Sequence, residues 1–206
     1  MTSLVVAGCS TEAASHAVLK WHYSQIMPTG KLIKCGVWED EQFIGAVLFG
    51  RGASPHLGTM LNLDQTELCE LVRVALRAHK APVTQIVSKA LKILKETSPN
   101  LRAVISFADP SQGHHGGIYQ AGNWTYTGTS AEVTEYLIGG RWRHTRGAWN
   151  HPARPTAKKR LQPGKYRYLK GLDKQMTRQI RRNSIPYPLP ADEGSTVIHP
   201  TSSWEV

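Results

Sequence analysis

Residues 101–127, LRAVISFADPSQGHHGGIYQAGNWTYT, constrain the fold more than any other stretch of this chain. They begin with an apolar run at 103–107, break at Asp109-Pro110, and pass through a Gly/His turn into a short helical segment that carries Tyr119. A short apolar run that ends at Asp-Pro and a glycine cluster indicates a buried strand whose carboxyl end opens into a loop. In open α/β sheets, ligands bind at that end of the strands.

Two interpretations of Asp109 and Tyr119 follow from this position. In the first, the carboxylate and the phenol meet over one pocket and act on a ligand. In the second, Asp109 caps the next helix or makes an Asx turn, and Tyr119 packs in the core. These residues alone favour the second, structural interpretation.

The length and composition indicate one domain, because 206 residues with 40% apolar content can bury a full core. We expect that domain to span residues 1–182. No apolar run approaches the roughly 18 residues of a membrane span, and the first residues lack the basic segment of a secretory signal. The three cysteines, Cys9, Cys35 and Cys69, show no CxxC spacing and fit a reducing cytoplasm. We therefore expect a cytoplasmic protein without a membrane partner.

The positive charge is concentrated in one segment. Residues 1–140 hold 11 Lys/Arg and 11 Asp/Glu, residues 141–182 hold 14 Lys/Arg and one acid, and residues 183–206 hold three acids and no Lys/Arg. A neutral core beside a segment of net charge +13 is typical of a protein with a polyanionic partner, most simply nucleic acid. Aromatic residues interleaved with these cations suit stacking on bases better than a merely solvated tail. Three prolines within the segment argue against an amphipathic membrane helix.

The rest of the chain predicts alternating strands and helices. A helix capped by Ser10 or Thr11 follows the first strand, and a second helix has an apolar stripe between residues 83 and 94. Residues 173–182 form a short basic helix, and residues 183–206 are expected to be extended or disordered. We predict two hairpins, one from the second and third strands and one from the sixth and seventh. The predicted strands are at 3–7, 34–38, 42–49, 67–78, 103–107, 124–129, 131–138 and 165–172.

This order of elements resembles the GCN5-related N-acetyltransferase fold, an α/β fold with a mixed sheet whose fourth and fifth strands splay apart to admit a donor. Here those strands are 67–78 and 103–109. Within that fold the chain resembles the phage Mom proteins. The matching residues are His22-Tyr23-Ser24, Glu70-Leu71-Val72-Arg73, Ser88, Asp109 with Tyr119, Gly164-Lys165-Tyr166-Arg167-Tyr168 and Pro186-Tyr187-Pro188. The resemblance implies an enzyme that converts adenine in phage DNA to N6-(carbamoylmethyl)adenine and so protects that DNA from restriction.

The resemblance also implies double-stranded DNA as the partner of the basic segment. We predict that residues 141–164 form a basic insertion before the last strand and face the DNA, mainly through phosphate contacts. The predicted DNA-contacting side chains are Arg141, Arg143, Arg146, Lys158, Lys159, Arg160, Lys165 and Arg167.

The group donor is less clearly defined than the acceptor. Members of this fold that use coenzyme A carry a glycine-rich loop before the long helix, where backbone N–H groups hold the pyrophosphate. Here residues 77–83 read RAHKAPV, without glycine. Acetyl-coenzyme A is therefore possible but disfavoured, and the carbon skeleton of the implied product fits a glycine-derived donor or another acyl donor better.

The resemblance and the chemistry together define the candidate site. The adenine amine is a poor nucleophile and requires a proton acceptor, for which Asp109 and His22 are candidates, while Tyr119 or Tyr23 can donate to a developing charge. The predicted substrate contacts are Ser24, Arg73, Ser88 and Trp124, with Arg73 as a clamp on anionic parts of the donor. A metal, iron if any, would have to use His22, Tyr23 and Asp109, because adjacent histidines such as His114-His115 seldom converge on one ion.

Two other classes of function remain open. One is an acetyl-coenzyme-A-dependent N-acetyltransferase that acts on a protein or a small amine. The other is a nucleic-acid-binding module without catalytic activity.

Overall fold

The computed structural model describes residues 3–52 and 54–188, and within them ten strands and five helices follow one another. The strands are β1 Leu4–Gly8, β2 Leu32–Glu39, β3 Gln42–Gly50, β4 Leu68–Leu76, β5 Ala103–Ala108, β6 Thr125–Thr129, β7 Val133–Ile138, β8 Arg141–His144, β9 Lys159–Gln162 and β10 Tyr166–Gly171. The helices are α1 Thr11–Trp21, α2 Val83–Thr97, α3 Gly117–Ala121, α4 Thr145–Ala148 and α5 Lys174–Arg181. No helix of the described part combines the length and the apolar character needed to cross a bilayer. Most of the predicted tail, residues 189–206, lies outside the described residues.

Local sequence signals account for the ends of the main helices. The Ser10 side chain accepts a hydrogen bond from the Ala13 N–H at 3.2 Å and begins α1. The Asp173 carboxylate accepts one from the Met176 N–H at 2.7 Å and begins α5. Each of these bonds satisfies an N–H that the helix itself cannot pair. The predicted caps of the first helix and the predicted basic helix are therefore confirmed.

Seven strands form one mixed sheet in the order β1-β2-β3-β4-β5-β10-β6. Its neighbours are antiparallel except β4 and β5, which are parallel. The β2–β3 hairpin is confirmed. Side chains alternate between the faces of a strand, so Val47 and Phe49 of β3 pack in the cluster that includes α2, whereas Ala46 and Leu48 pack against α1.

The second predicted hairpin is wrong. β6 pairs with β10, while β7 lies between β8 and β9 in a separate three-stranded sheet. Alternating apolar residues identified both strands correctly, but alternation fixes which face is buried and not which strand is the neighbour.

The small sheet is inserted at one point of the main sheet. Ser130 and Lys165 join its two ends, since the Ser130 N–H donates to the Lys165 carbonyl at 2.8 Å and the Lys165 N–H donates to Ser130 Oγ at 2.9 Å. A Cβ at Gly164 would lie 2.0 Å from the Ser130 carbonyl oxygen, so glycine is required for this approach. The insertion has its own small core, in which Tyr136 and Ile138 pack with Ala148 of α4.

Candidate active site

β4 and β5 separate part-way along the sheet. They pair only where residues 68–70 face residues 103–105; beyond this, β4 stays with β3 and β5 stays with β10. The predicted splay between these strands is therefore present. The register of β3 and β4 also shifts at this level, because Leu48 faces Arg73 and Phe49 faces Leu71, so Val72 is an extra residue. Such bulges redirect the side chains that follow them, here Arg73.

A polar bridge crosses the start of the gap. The Ser106 hydroxyl on β5 lies 2.8 Å from the Leu71 carbonyl on β4 and 2.7 Å from the Tyr119 hydroxyl. A carbonyl can only accept, so the Ser106 proton goes to Leu71 and Tyr119 donates its own to Ser106. Burial raises the pKa of Tyr119 to about 12, which keeps the phenol protonated. Tyr119 therefore donates to Ser106, and its ring packs in the core against Trp124 and Tyr168. Its donation to a developing charge stays a prediction.

His22 ends α1 and turns towards this gap. Its Nδ1 accepts from the Ser24 backbone N–H at 3.1 Å and lies 2.8 Å from Ser24 Oγ. Burial, followed by the charges of Arg73 and His114, lowers the pKa of His22 from 6.5 to about 4. The imidazole is therefore neutral near pH 7. Because Nδ1 accepts a hydrogen bond, the proton of the neutral ring is assigned to Nε2, which can donate to a ligand. Ser24, predicted as a substrate contact, here holds His22 in place.

Tyr23 and His114 extend the cluster outward. Tyr23 is 53% exposed, and its ring centroid lies 4.3 Å from that of His22 and 5.2 Å from that of His114. His114 belongs to the turn that follows β5, where its N–H donates to the Asp109 carbonyl at 3.2 Å. The end of α1 thus meets the Asp109 loop through His114, for which no part in the site was predicted. The Gly/His turn at the end of a buried strand was the signal that pointed to it.

Arg73 lies beside the same cluster. Its Nη1 donates to the Val72 carbonyl at 2.7 Å and its Nη2 to the Ile26 carbonyl at 3.3 Å, whereas its buried Nε has no hydrogen-bond partner. Burial lowers the pKa of Arg73, and the neighbouring Tyr23 and Glu70 act in the opposite direction. A buried N–H without a partner is costly, so this group is suited to a ligand that completes its hydrogen bonding. Glu70, whose charge also contributes to the raised pKa of Tyr119, is a further acid at the gap, and no role was predicted for it.

Asp109 caps the short 3-10 turn Pro110–Gln112 that follows β5, as the structural interpretation of this residue predicted. One carboxylate oxygen accepts from the Ser111 N–H at 3.1 Å and from Ser111 Oγ at 2.6 Å, and the other lies 2.7 Å from Lys165 Nζ. Burial alone would raise the pKa of Asp109, but the hydrogen bonds from Lys165 and Ser111 outweigh it and leave the pKa below its ordinary value. The carboxylate is therefore ionised at neutral pH. The Tyr119 hydroxyl is bonded to Ser106 instead, so the structure shows no direct contact between these two predicted partners.

Two of the predicted substrate contacts lie away from the exposed part of the cluster. Trp124 is 1% exposed and packs in the core, and its carbonyl accepts from the Tyr187 hydroxyl at 2.7 Å. Ser88 lies on the exposed face of α2. Of the aromatic rings considered as walls for a base, Tyr119 and Trp124 are buried and Tyr23 is exposed.

Two of the three predicted metal ligands are engaged by neighbouring side chains. Both oxygens of Asp109 are engaged by Ser111 and Lys165, and Nδ1 of His22 is engaged by Ser24. Among residues 3–52 and 54–188 no group of three or more His, Cys, Asp or Glu side chains is arranged to hold an ion. We therefore assign no step to a metal.

Some of the predicted DNA-contacting cations have internal partners. Arg160 donates two hydrogen bonds to the Glu135 carboxylate, at 2.8 and 2.6 Å, and its guanidinium lies 4.4 Å from the Trp142 ring centroid. Arg167 donates to Oγ1 and to the carbonyl of Thr127, and Lys165 pairs with Asp109 as described. Arg141, Arg143, Arg146, Lys158 and Lys159 are exposed on and around the small sheet, and Arg160 and Lys165 are exposed despite their ion pairs.

Comparison with known proteins identifies the family. Residues 3–189 match the family described as the Mom protein family. The chain belongs to this family. A curated relative, the "Methylcarbamoylase mom" of Escherichia phage Mu, is 28% identical over 184 residues, which cover 81% of this chain and 76% of the relative.

Solved structures show that this Mom family protein has the GCN5-related N-acetyltransferase fold. The aminoglycoside acetyltransferase AAC(6')-Ib, solved with coenzyme A and kanamycin, is 10% identical with a TM-score of 0.51, covering 87% of this chain and 99% of that one. The same enzyme solved with coenzyme A alone is 9% identical with a TM-score of 0.52, again covering 87% and 99%. These likenesses establish the transferase-type fold of the chain.

The gap in this Mom family protein thus combines three chemical properties. His22 supplies a neutral imidazole, Arg73 a guanidinium with one buried N–H unsatisfied, and Tyr23 an exposed aromatic ring, while the proton of Tyr119 is already donated to Ser106. The exposed ring of Tyr23 lies at the outer side of His22. Such a set can bind an uncharged planar group next to an anionic or strongly polarised one.

Proposed function

We propose that this protein modifies adenine in phage DNA to N6-(carbamoylmethyl)adenine and thereby protects the DNA from restriction. The observation that carries the proposal is the match of residues 3–189 to the Mom family, with a phage Mu relative named a methylcarbamoylase. The cluster of His22, Tyr23 and Arg73 beside the β4–β5 gap supports it, because this is where the fold admits a donor.

The target adenine must leave the double helix to reach this cluster. Extrusion of a base costs a few kcal/mol, which stacking in the enzyme offsets. Tyr23 fits that role because the residue is 53% exposed and its ring already lies against His22. In this arrangement the Nε2–H of His22 donates to a ring nitrogen or to a developing negative charge, and the Arg73 Nε–H donates to an anionic part of the donor. Asp109 remains the candidate that accepts the proton released by the amine.

The inserted small sheet supplies the DNA contacts in this proposal. Arg143 and Lys159 both pair across from Tyr136, on opposite sides of β7, and therefore lie on one face of that sheet. Trp149 is 62% exposed with the Arg154 guanidinium 4.4 Å from its ring centroid. Cations next to an exposed ring suit phosphates and unstacked bases respectively.

Mass spectrometry of nucleosides tests the proposal directly. DNA from cells that express the protein is digested and compared with DNA from cells that express Tyr23→Ala. A deoxyadenosine derivative heavier by one carbamoylmethyl group is expected only with the unaltered protein. Unmodified DNA together with acetylated protein or amine would support the N-acetyltransferase alternative, and unmodified DNA without any acetylation would support a binding module.

A further inference from the structure

The loop before α2 holds an internal carboxylate. Glu39, the last residue of β2, is 8% exposed, and its carboxylate accepts three hydrogen bonds from the backbone of that loop. The Ala81 N–H donates to Oε1 at 2.7 Å, and the Lys80 N–H is shared between Oε1 at 3.2 Å and Oε2 at 3.0 Å. The next residue, Pro82, has no N–H to offer.

A loop that leads into a helix is where proteins commonly bind phosphate. Its free N–H groups and the positive end of the helix dipole together attract an anion. Here two of those N–H groups already bind the Glu39 carboxylate, which occupies the place of an anionic ligand. The backbone of the loop agrees with this, because none of residues 77–83, all within the described part of the chain, has the positive φ of an anion-binding nest.

We propose that Glu39 acts as a built-in anion that excludes donors carrying a pyrophosphate, coenzyme A thioesters above all, from this side of the gap. This inference rests on the proposed function and narrows its donor. The donor must be an activated glycine-derived or acyl compound that binds without a pyrophosphate at the start of α2. Glu39 is then a specificity-determining residue, because its charge repels a phosphate and its oxygens compete for the same N–H groups.

Removal of the carboxylate should convert the loop into an anion site. Lys80 and Lys89 line a cavity of about 380 Å³ that adjoins Ala81 and Pro82, so positive charge remains there once Glu39 is gone. The Glu39→Ala variant exposes the two N–H groups fully. The Glu39→Gln variant keeps the size of the side chain, removes its charge and replaces one acceptor oxygen by an NH2 group, so that the remaining oxygen can still accept from the Ala81 N–H while the Lys80 N–H loses one acceptor.

Isothermal titration with coenzyme A and with inorganic pyrophosphate tests the inference on the full-length protein. We expect the unaltered protein to bind either probe more weakly than about 1 mM. We expect Glu39→Ala or Glu39→Gln, whichever folds as judged by circular dichroism, to bind pyrophosphate at least about tenfold more tightly than the unaltered protein. Glu96→Ala, at the other end of α2, makes the same change of net charge and should leave binding unchanged.

Three results would overturn the inference. The first is saturable micromolar binding of coenzyme A by the unaltered protein. The second is a folded Glu39 variant without any gain in pyrophosphate affinity, and the third is an equal gain in Glu96→Ala, which would make the effect one of net charge. The proposed function is judged separately, by the modified nucleoside, so a protein that modifies adenine and also binds coenzyme A would refute only the role of Glu39.

Discussion

Replacement of Asp109 by asparagine separates its chemical role from its structural one. Asparagine keeps an oxygen that can accept from Ser111, so the cap survives. What is lost is the charge opposite Lys165, whose side chain is 48% exposed. An ion pair so open to water contributes about 0.5 kcal/mol, or 1 kcal/mol at most. For a domain of this size, 0.5 kcal/mol lowers the melting temperature by roughly 1–2 °C, and 1 kcal/mol by roughly 2–4 °C.

We expect the same substitution to lower modification by at least about 100-fold if Asp109 accepts the amine proton, because this is the usual contribution of a positioned base. The matched variant is Lys165→Met, which breaks the same ion pair and leaves the carboxylate in place. Because Lys165 also belongs to the basic segment, its loss can weaken DNA binding, and activity is therefore compared at saturating DNA. Under that condition Lys165→Met should retain activity within about threefold. The assay is single-turnover modification of a defined duplex, with melting temperatures measured in parallel.

Equal losses of activity in Asp109→Asn and Lys165→Met would refute this reasoning. The ion pair, and not the carboxylate, would then be the functional unit, and Asp109 would serve to position the loop that carries His114. Acid stability gives a further check. The pKa of Asp109 is lowered in the folded state, so its contribution is complete above the pKa of the unfolded chain and is lost as the pH falls through the folded value. As the pH falls, the free energy of unfolding should therefore decrease less in Asp109→Asn than in the unaltered protein.

Three further outcomes are expected. His22→Ala, which removes the imidazole, and Tyr23→Phe, which keeps the stacking ring but removes the hydroxyl predicted to donate to a developing charge, should each lower modification at least about tenfold. DNA affinity measured by fluorescence anisotropy should stay the same, and full activity in both variants would move the site elsewhere. Lys158→Ala combined with Lys159→Ala should reduce the slope of log affinity against log salt by about 2. Lys89→Ala combined with Lys92→Ala, at two exposed lysines of α2, should leave that slope unchanged. His22 has a folded pKa of about 4 against an ordinary 6.5, so the unfolded state binds its proton more strongly. As the pH falls from 6.5 to 4, the free energy of unfolding measured with urea should therefore decrease more in the unaltered protein than in His22→Ala, and equal decreases would contradict the burial of this ring.

The pattern of residues was sufficient to predict most elements of the fold. The buried strand before Asp109, the apolar stripe of α2 and the capped start of α1 are local features, because each depends on residues within one or two turns of chain. The splay between β4 and β5 was predicted through the resemblance of this order to the GCN5-related N-acetyltransferase fold. The sequence also predicted a candidate site at this place, because loops at the carboxyl ends of such strands lie at one edge of the sheet.

Only the tertiary structure decided which groups meet. Asp109 pairs with Lys165, which is 56 positions away in the sequence, and Glu39 binds the N–H of Ala81 across a separation of 42 residues. Neither contact leaves a local signal, because a carboxylate in the sequence carries no mark of the partner that will neutralise it.

The pairing of the strands shows the same limit. The alternation in β6 and β7 predicted two strands with one buried face each, and both exist. β6 pairs with the edge of β10. After β6, Ser130 hydrogen-bonds to Lys165 and the chain leaves the main sheet, so β7 pairs with strands of the insertion instead. Sequence period determines the face of a strand, whereas its neighbour is chosen by competition among all the edges that the folded chain brings together.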